Sequence, residues 1–467
     1  MPKQILENII FDEIKIGDTA SLSKTLTQKD IDLFATVSGD VNPAHMDPVF
    51  AKNDIFHSVV GHGMWSGALI STILGTMLPG PGTIYLEQNI KFKKPVHLGD
   101  TVTITVTVQE KIDAKHIVKL DCHGVNQNGV VIIDGVATVI APLAKIKVDR
   151  VELPQITIKN YSKFNGILDS CKHLSAIRTA VVHPVTANVV EAVSEAYQAG
   201  LIIPLLIGPI AKIQTAGLSA GVDLTAWEII NTEHSNAAAE KAVAIAADGG
   251  VAAIMKGALH TNEFMSAAVR RNSGLHTKYR ISHAYVINIP TYHKILIVTD
   301  AAINISPNVM DKADICQNAI NLWRMLYGYD KQPKIAILAA IELINPDMQA
   351  TIDAATLCKM SDRRQIMHGI LDGPLAFDNA ISEQASADKE IISSVAGDAD
   401  ILLVPEIESG NILAKQLIFL GNADAAGIVL GARVPMILTS RSDSMHTRLL
   451  SCALAVKISH AHTLGKF

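Results

Sequence analysis

The hydrophobic patterning changes near residue 160, and this change limits the chain to two unlike kinds of fold. Between residues 84 and 142, polar and apolar residues alternate, as in Thr101–Glu110, which reads TVTITVTVQE. Alternation with period two and many β-branched residues predicts half-buried antiparallel strands. After residue 161, short apolar runs such as 202–207 alternate with helical runs such as 237–247. That order is typical of a mostly parallel sheet covered by helices, so we predict two domains of different class.

A long apolar helix is predicted inside the first domain. Residues 55–86 contain no Asp, Glu, Lys or Arg, but the continuous apolar part, 64–78, spans only about 15 residues. A membrane helix needs about 20, so we expect a buried helix of a soluble domain and no membrane partner. An earlier helix is predicted to begin at Thr27, where Asp30 completes a variant of the capping box. One long helix followed by four antiparallel strands suggests a sheet wrapped around a helix.

Composition and charge exclude several classes of protein. The chain has 467 residues, 49 % of them hydrophobic, with 40 Lys+Arg against 45 Asp+Glu and a net charge of −5. A weakly acidic chain with 4 % aromatic residues lacks the basic surface of a nucleic-acid binder. The five cysteines form no CxxC motif, which argues against a disulfide framework and a zinc finger. With no export signal at the first residues, we expect a cytoplasmic protein.

The domain boundaries follow from local composition. Residues 142–160 are richer in charge and bracketed by prolines. We therefore predict a first domain over 1–145, a linker over 146–160 and a second domain over 161–467. About 300 residues is large for one α/β unit, so a two-lobed α/β domain is expected.

A loop in the first domain carries a carboxylate and an imidazole. Asp40 and His45 are five residues apart in the segment 38–47, which reads SGDVNPAHMD. Such a pair suits activation of one water, because one group takes a proton while the other can deliver one. The alternative is that Asp40 caps a turn and His45 is an ordinary loop histidine.

The predicted apolar helix begins with Gly61-His-Gly-Met64. The start of a helix offers unpaired N–H groups, and Gly63 would let a ligand carbonyl approach that backbone closely. This end could stabilise the oxyanion of a thioester, although a plain glycine helix start explains the same residues. His57 and His62 have no acidic or sulfur partner near them in sequence, so no metal site is expected.

These segments together resemble the MaoC-like hydratases, which are hot-dog-fold (R)-specific enoyl-CoA hydratases. The resemblance covers about residues 10–142 and is carried by four segments: SGDVNPAHMDPVF, GHGM, PGPGTIYLEQNIKFKKPVHLGDTV and DGVATV. It implies an N-terminal α+β hot-dog fold that adds water to a trans-2-enoyl-CoA and yields an (R)-3-hydroxyacyl-CoA. It further implies that Asp40 and His45 hold and activate the water, Asn42 orients the loop, and the Gly63 N–H binds the thioester oxygen. No metal or redox cofactor is implied.

Several polar segments in the second half follow predicted strands. Lys256 and His260 lie in one such segment, where α/β proteins bind ligands, and Arg271 ends the next helical run. Residues 300–304, 371–379 and 438–444 form similar loops. Each of them is equally explained as an ordinary polar loop between a strand and a helix. The sequence contains no GxxxxGK[ST], HExxH or GxSxG motif and no GxGxxG in a first βα turn.

The second half resembles the phosphate acetyl/butyryltransferase family, and its butyryltransferase branch most. The resemblance runs from about residue 160 to the end, and is carried by segments such as KGALHTNEFMSAAVRR, VTDAAINISP, ILDGPLAFDNAIS and GARVPMILTSRSDS. It implies a two-lobed α/β fold like that of the isocitrate and isopropylmalate dehydrogenases. It also implies the reaction acyl-CoA + phosphate ⇌ acyl phosphate + CoA, without a covalent acyl-enzyme.

The transferase resemblance assigns roles to residues near the end of the chain. Ser440 and Arg441 match the Ser-Arg pair at the reacting centre. Asp443 is the predicted base for the CoA thiol, although the family spacing could instead fall at Thr447, which cannot serve. Arg271 and Lys256 are further candidates for contacts with phosphate or the CoA pyrophosphate.

The chain is thus predicted to be a bifunctional enzyme of acyl-CoA metabolism, with no tightly bound cofactor. Its substrates would be coenzyme A thioesters and inorganic phosphate, and it would form a homodimer or a higher homo-oligomer. One alternative is a transferase that carries a non-catalytic, acyl-CoA-binding hot-dog module. A second, a decarboxylating dehydrogenase, is disfavoured because the sequence lacks an acidic metal-ligand cluster and a nicotinamide motif.

Overall fold

The computed structural model describes residues 5–154, 156, 162–438 and 444–465 and divides into two compact units, Met1–Ile158 and Lys159–Phe467. Part of the predicted linker belongs to the first unit, because Lys147–Asp149 pairs antiparallel with Ile5–Glu7. Residues 155 and 157–161 of the predicted boundary region lie outside the described residues. All five cysteines are free thiols, as expected. Among the described residues, no helix is long and apolar enough to cross a membrane.

The first unit is a five-stranded antiparallel sheet in the order β2-β4-β5-β6-β3, packed on a central helix, α4. Its elements are β1 (Ile5–Glu7), β2 (Thr19–Thr25), α1 (Gln28–Ser38), α2 (Pro43–Met46), α3 (Pro48–Asn53), α4 (Gly63–Thr76), β3 (Ile84–Phe92), β4 (Thr101–Ile112), β5 (Ile117–Val125), β6 (Val131–Ile140) and β7 (Lys147–Asp149). The sequence predicted four strands of this sheet and missed β2. Strand β2 reads TASLSKT, and its Ser21, Ser23 and Thr25 hydrogen-bond to threonines of β4 on the exposed face. A strand with so few apolar residues has no clear alternation to detect.

The sheet buries the apolar helix, as predicted. Alternate residues of β4, from Val102 to Val108, are fully buried, while the intervening threonines face outward. Residues Trp65, Leu69, Ile70 and Ile73 of α4 pack into the same core. Helix α4 has no charged residue, so its apolar side packs into the core without burying a charge, while Ala68, Ser71, Thr72 and Gly75 stay exposed.

Helix α1 leads directly to the loop that carries Asp40. The predicted capping box is present: the Thr27 hydroxyl accepts from the Asp30 N–H at 3.2 Å, and the Asp30 carboxylate accepts from the Thr27 N–H at 3.0 Å. The helix ends at Gly39, whose φ of +76° is a left-handed conformation that glycine adopts without steric cost. Asp40 therefore leaves the helix at a sharp turn.

The second unit has one sheet of eleven described strands with helices around it. Its elements are α5 (Ser162–Asp169), β8 (Ile177–Val182), α6 (Ala187–Gln198), β9 (Ile202–Gly208), α7 (Ile210–Ala220), β10 (Glu228–Asn231), α8 (Ser235–Ala247), β11 (Ala253–Lys256), α9 (Thr261–Ala268), β12 (Ser282–Asn288), β13 (Leu296–Thr299), α10 (Val309–Tyr327), β14 (Lys334–Leu338), α11 (Gln349–Asp362), β15 (Ile370–Leu375), α12 (Phe377–Ile381), α13 (Glu383–Asp388), β16 (Ile401–Leu403), α14 (Ile407–Phe419), β17 (Asp424–Leu430), β18 (Met436–Ile437) and α15 (Met445–Thr463).

The sheet is mostly parallel, as predicted, but its centre is not. Strands β10-β9-β8-β11-β18 form one parallel group and β13-β16-β14-β15 form another. Strands β17 and β12 join the two groups by antiparallel pairing. The sequence interpretation missed both joining strands. They are buried along most of their length, so they show no alternation of polar and apolar residues.

Shortening a side chain of α4 should destabilise the first unit. Ile70 is 0 % exposed at the centre of this core, so Ile70→Ala removes buried apolar contacts and leaves a cavity. We expect a loss of about 2–5 kcal/mol in the free energy of unfolding. The change is measurable by denaturant titration with the hydrogen–deuterium exchange of residues 102–108 of β4 as the probe. Val37→Ala on α1 is the matched control, because Val37 is 88 % exposed. Equal effects of the two substitutions would contradict the packing described here.

Candidate active sites

The loop after α1 in the first unit is held by its own side chains. The Asp40 carboxylate accepts a hydrogen bond from the Asn42 N–H at 3.2 Å. The Asn42 side chain in turn caps α2 by accepting from the Ala44 N–H at 3.1 Å. These bonds orient the loop and leave the Asp40 side chain exposed. Asn42 therefore orders the backbone between the two predicted catalytic residues.

The orientation of His45 is set by a backbone carbonyl. Its Nδ1 lies 2.7 Å from the carbonyl oxygen of Val60. A carbonyl oxygen only accepts, so Nδ1 carries the proton and donates it. In the neutral ring, Nε2 then keeps a lone pair that is able to take a proton.

A second histidine completes this site. The Nε2–H of His62 donates to the carbonyl oxygen of Asp40 at 2.9 Å, and the His62 ring lies 4.0 Å from the His45 ring, centroid to centroid. One carboxylate oxygen of Asp40 and one ring nitrogen of each histidine all lie within 4.8 Å of one another. No acidic residue lies near His62 in sequence, but the fold brings the carboxylate of Asp40 close to it from 22 residues away.

Among the described residues, this group is the one cluster of three side chains whose donor atoms could hold a metal ion. One carboxylate and two imidazoles are a donor set that zinc accepts. However, one nitrogen of each ring already donates to a carbonyl, and the other nitrogen of His62, Nδ1, is buried. His57 lies outside the cluster and is exposed.

Gly63 begins α4 directly after His62. Within the described structure, His62 makes no side-chain capping bond to α4, although its carbonyl oxygen accepts from the Trp65 N–H at 2.9 Å. No described hydrogen bond engages the Gly63 N–H. A Cβ atom at Gly63 would lie 3.1 Å from the ring of Phe92. Glycine thus permits close packing beside an exposed N–H group at the positive end of the helix.

The second unit has a cleft of about 860 Å³ beside its antiparallel centre. One wall is the connection from β11 to α9, with Lys256 and His260. The opposite wall is α14, with Lys415 and two polar residues, Glu408 and Asn411. Two lysines facing one cavity suit a ligand with phosphate groups.

The structure brings some predicted transferase residues to this cleft. Lys256 ends β11, and the chain then turns at Gly257, where a Cβ would overlap the carbonyl oxygen of Val182. His260 follows and precedes α9. Arg271 is exposed beyond the end of α9 and does not line the cleft.

The predicted reacting residues Ser440, Arg441 and Asp443 lie outside the described residues. Leu438, the last described residue before them, lines the cleft. Thr447, the other position considered for the base, is buried in the first turn of α15 and hydrogen-bonds to Ser444. Thr447 thus has a structural role at the start of that helix.

One cleft residue was not anticipated from the sequence. His283 on β12 is 1 % exposed, and its Nδ1 has no hydrogen-bond partner in the described structure. Burial lowers the pKa of its imidazole to about 3, so the ring is neutral at physiological pH. A single histidine in an apolar strand gives no sequence signal of a functional site. His283 lies at the cleft because β12 pairs with β17.

Two loops that the sequence suggested as ligand sites have structural roles. Asp300 is buried, and its carboxylate accepts from the N–H groups of Ala302, Ile303 and Asn304. In the loop 371–379, Asp372 accepts from the N–H of the next residue. Neither loop lines the large cleft, apart from Ala302.

The chain thus has two units, and each contains one candidate active site: the Asp40–His45–His62 cluster in the first and the cleft in the second. A family model described as Phosphate acetyl/butaryl transferase matches residues 236–456, and one described as MaoC like domain matches residues 14–125. A phosphate acetyltransferase of Rickettsia felis is 53 % identical over 290 residues, which are 62 % of this chain and 82 % of the relative. The chain therefore belongs to the phosphate acetyl/butyryltransferase family, with a MaoC-like domain before the transferase domain.

Two further proteins are similar to parts of the chain. A phosphate butyryltransferase of Clostridium acetobutylicum is 37 % identical over 296 residues, 63 % of this chain and 98 % of the relative. The solved R-hydratase PhaJ1 of Pseudomonas aeruginosa is 42 % identical, covers 33 % of this chain and all of its own, and superposes with a TM-score of 0.33.

The comparisons correct one expectation and support another. The prediction that the chain resembles the butyryltransferase branch most is wrong. The sequence identity is 53 % with the acetyltransferase and 37 % with the butyryltransferase. The family uses CoA and phosphate as substrates and has no tightly bound cofactor, as predicted.

The buried His283 should make the stability of the chain depend on pH. Its pKa is about 3 when folded and about 6.5 when unfolded, so between these values the unfolded state binds more protons. The free energy of unfolding therefore falls as the pH falls from about 6.5. We expect His283 to contribute a loss of about 2 kcal/mol by pH 5.

Denaturant titrations at pH 7 and pH 5 measure this effect. His283→Gln should show a smaller loss on acidification than the wild type, whatever its stability at pH 7. His173→Gln is the control, because His173 is exposed in the folded chain. An unchanged loss in His283→Gln would show that another group is responsible.

Proposed function

We propose that the chain is bifunctional. Its first unit hydrates a short trans-2-enoyl-CoA to an (R)-3-hydroxyacyl-CoA. Its second unit transfers a short acyl group reversibly between CoA and phosphate. The observation that carries the first activity is the proximity of the Asp40 carboxylate and the His45 ring on one ordered loop beside the start of α4.

The spacing of this pair suits one water molecule. A carboxylate oxygen of Asp40 and a ring nitrogen of His45 lie within 4.8 Å of each other. Two hydrogen bonds of about 2.8 Å span up to about 5.6 Å, so one water can contact both groups. Asp40 holds the water by accepting one of its protons in a hydrogen bond, and Nε2 of His45 accepts the other.

The proposed hydration then balances without a cofactor. The water oxygen attacks C3 of the enoyl group as His45 takes a water proton, and negative charge moves to the thioester oxygen. The Gly63 N–H, at the positive end of α4, donates to that oxygen. The protonated His45 returns a proton to C2, which yields the neutral 3-hydroxyacyl-CoA.

The transferase activity is assigned to the cleft of the second unit. In the direction of CoA acylation, the CoA sulfur attacks the carbonyl carbon of an acyl phosphate. The C–O bond to phosphate breaks and inorganic phosphate leaves. Leu438 lines the cleft and is followed in sequence by Ser440 and Arg441, which we assign to binding of the phosphoryl group. We assign Asp443 as the base that takes the thiol proton, and Lys256 as a further phosphate ligand.

Two finer features belong to the same proposal. The two parallel groups of strands joined by antiparallel β17 and β12 support a two-lobed fold of the isocitrate and isopropylmalate dehydrogenase type. The identity with an acetyltransferase supports an acetyl group as the preferred acyl chain. We propose a homodimer or higher homo-oligomer as the active form.

Two assays on one purified sample test the bifunctional assignment. Loss of the enoyl-thioester absorbance of crotonyl-CoA reports hydration, and thiol release from acetyl-CoA or butyryl-CoA with phosphate reports transfer. We expect Asp40→Asn to lower hydration at least about 100-fold, because it removes the charge that holds the water. Thiol release should not change, since Asp40 lies in the other unit.

Asp12→Asn in the same unit is the control, because Asp12 is exposed. Asp47→Asn is less suitable, because the Asp47 side chain caps α3. Release without hydration in the wild type would leave the first unit as an acyl-CoA-binding module. Hydration without release would contradict the transferase assignment.

Removing the Lys256 cation should weaken phosphate binding. We expect Lys256→Gln to raise the KM for phosphate about 10-fold in the direction that consumes acyl-CoA, because one charged contact is lost. Initial-rate measurements at varied phosphate and saturating acyl-CoA test this. Lys172→Gln, an exposed lysine distant from the cleft lining, is the control. An increase in the KM for acyl-CoA alone would reassign Lys256 to the CoA pyrophosphate.

A further inference from the structure

We propose that His62 is a positioning residue for hydration, which ties the water-holding loop to the start of α4. The inference rests on the proposed hydratase function. It assigns a role to a residue that lies between the loop of Asp40 and the first residue of α4, Gly63. His62 does not need to touch the substrate to act in this way. It sets the distance between the groups that do.

The first observation is the bond from His62 to the backbone of Asp40. The Nε2–H of His62 donates to the Asp40 carbonyl oxygen at 2.9 Å. The other described hydrogen bonds of Asp40 reach only Ser38 and Asn42, two residues away on either side. The bond from His62 is thus the one described hydrogen bond that holds Asp40 to a distant part of the chain.

The second observation is that the His62 ring is itself fixed. It is 3 % exposed and lies 5.0 Å from the Phe34 ring and 4.0 Å from the His45 ring, centroid to centroid. A ring packed between two others has little freedom to rotate. It therefore fixes the position of the Asp40 backbone through the hydrogen bond, and it packs against the His45 ring.

The third observation is the place of His62 in the sequence. It directly precedes Gly63, the first residue of α4, whose N–H is proposed to bind the thioester oxygen. The water on Asp40 must reach C3 while the thioester oxygen reaches Gly63. His62 therefore connects the residue that holds the water with the residue that binds the thioester oxygen. An error of about 1 Å in the distance between Asp40 and Gly63 would lower the rate about 100-fold.

The buried side of His62 suggests how to replace it. Its Nδ1 is buried and has no hydrogen-bond partner in the described structure, so that side of the ring tolerates an apolar group. His62→Phe keeps a flat ring against Phe34 but removes the Nε2 donor. His62→Gln is the matched variant, because its terminal amide reaches the position of Nε2 and can donate to the same carbonyl.

Steady-state hydration of crotonyl-CoA by the full chain tests the proposal. We expect His62→Phe to lower kcat about 30- to 100-fold with a KM within about 2-fold of the wild type, because binding of CoA does not depend on the position of the water. His62→Gln should recover at least about 10-fold of the lost kcat. A purely structural role would not predict rescue by a side chain of different shape.

Hydrogen–deuterium exchange of residues 38–47 gives a readout that does not depend on activity. Exchange in this loop should be faster in His62→Phe and return toward the wild-type rate in His62→Gln. The exchange of residues 102–108 of β4, in the same core, checks that the unit is folded. Should His62→Phe fail to fold, the proposal then requires His62→Gln to keep at least about one tenth of the wild-type kcat.

The outcomes separate this inference from the one on which it depends. An active wild type with an equally active His62→Phe, or a loss of activity with unchanged exchange in the loop, overturns the role of His62 alone. A wild-type chain that does not hydrate crotonyl-CoA or a longer 2-enoyl-CoA overturns the proposed function and the role of His62 together.

Discussion

Burial of the charge-free helix α4 is the constraint on which the first unit depends. Helix α4 has 14 residues and no charged side chain, and it packs the apolar side that carries Trp65, Leu69, Ile70 and Ile73 into the core under the antiparallel sheet. One side of the helix, with Ala68, Ser71, Thr72 and Gly75, stays exposed, and so does its first residue, Gly63. Its first residues lie beside the loop after α1, so the positive end of the helix faces the pair Asp40 and His45. The site is thus a consequence of how the core is closed.

The second unit reaches its site by a different route. Its sheet consists of two groups of parallel strands. The strands β17 and β12 lie between these groups and connect them by antiparallel pairing. The cleft lies against this junction, with the β11–α9 connection on one wall and α14 on the other. The junction also places the neutral His283 against the cleft without a partner for its Nδ1 among the described residues.

The two proposed activities share a chemical requirement. Each must stabilise negative charge on the oxygen of a carbonyl group that is bonded to a CoA sulfur or to a phosphate. The first unit would use a helix N-terminus for this, and the second would use cations such as Lys256. Both would act on short acyl-CoA molecules, which gives the fusion a kinetic rationale. A tether keeps one catalytic centre at a high effective concentration near the other.

The sequence by itself determined the two fold classes, because hydrophobic periodicity is a local property. Period two in β4 and the charge-free run of α4 identified a sheet around a helix, and the capping box at Thr27 was readable because its two residues are three apart. The pairing of His62 with Asp40 was not readable, since the two residues are 22 apart and only the closed fold brings them together. For the same reason, β12 and β17 and the position of His283 depended on tertiary structure. Local patterns fix which elements form, whereas contacts between distant residues decide which side chains meet.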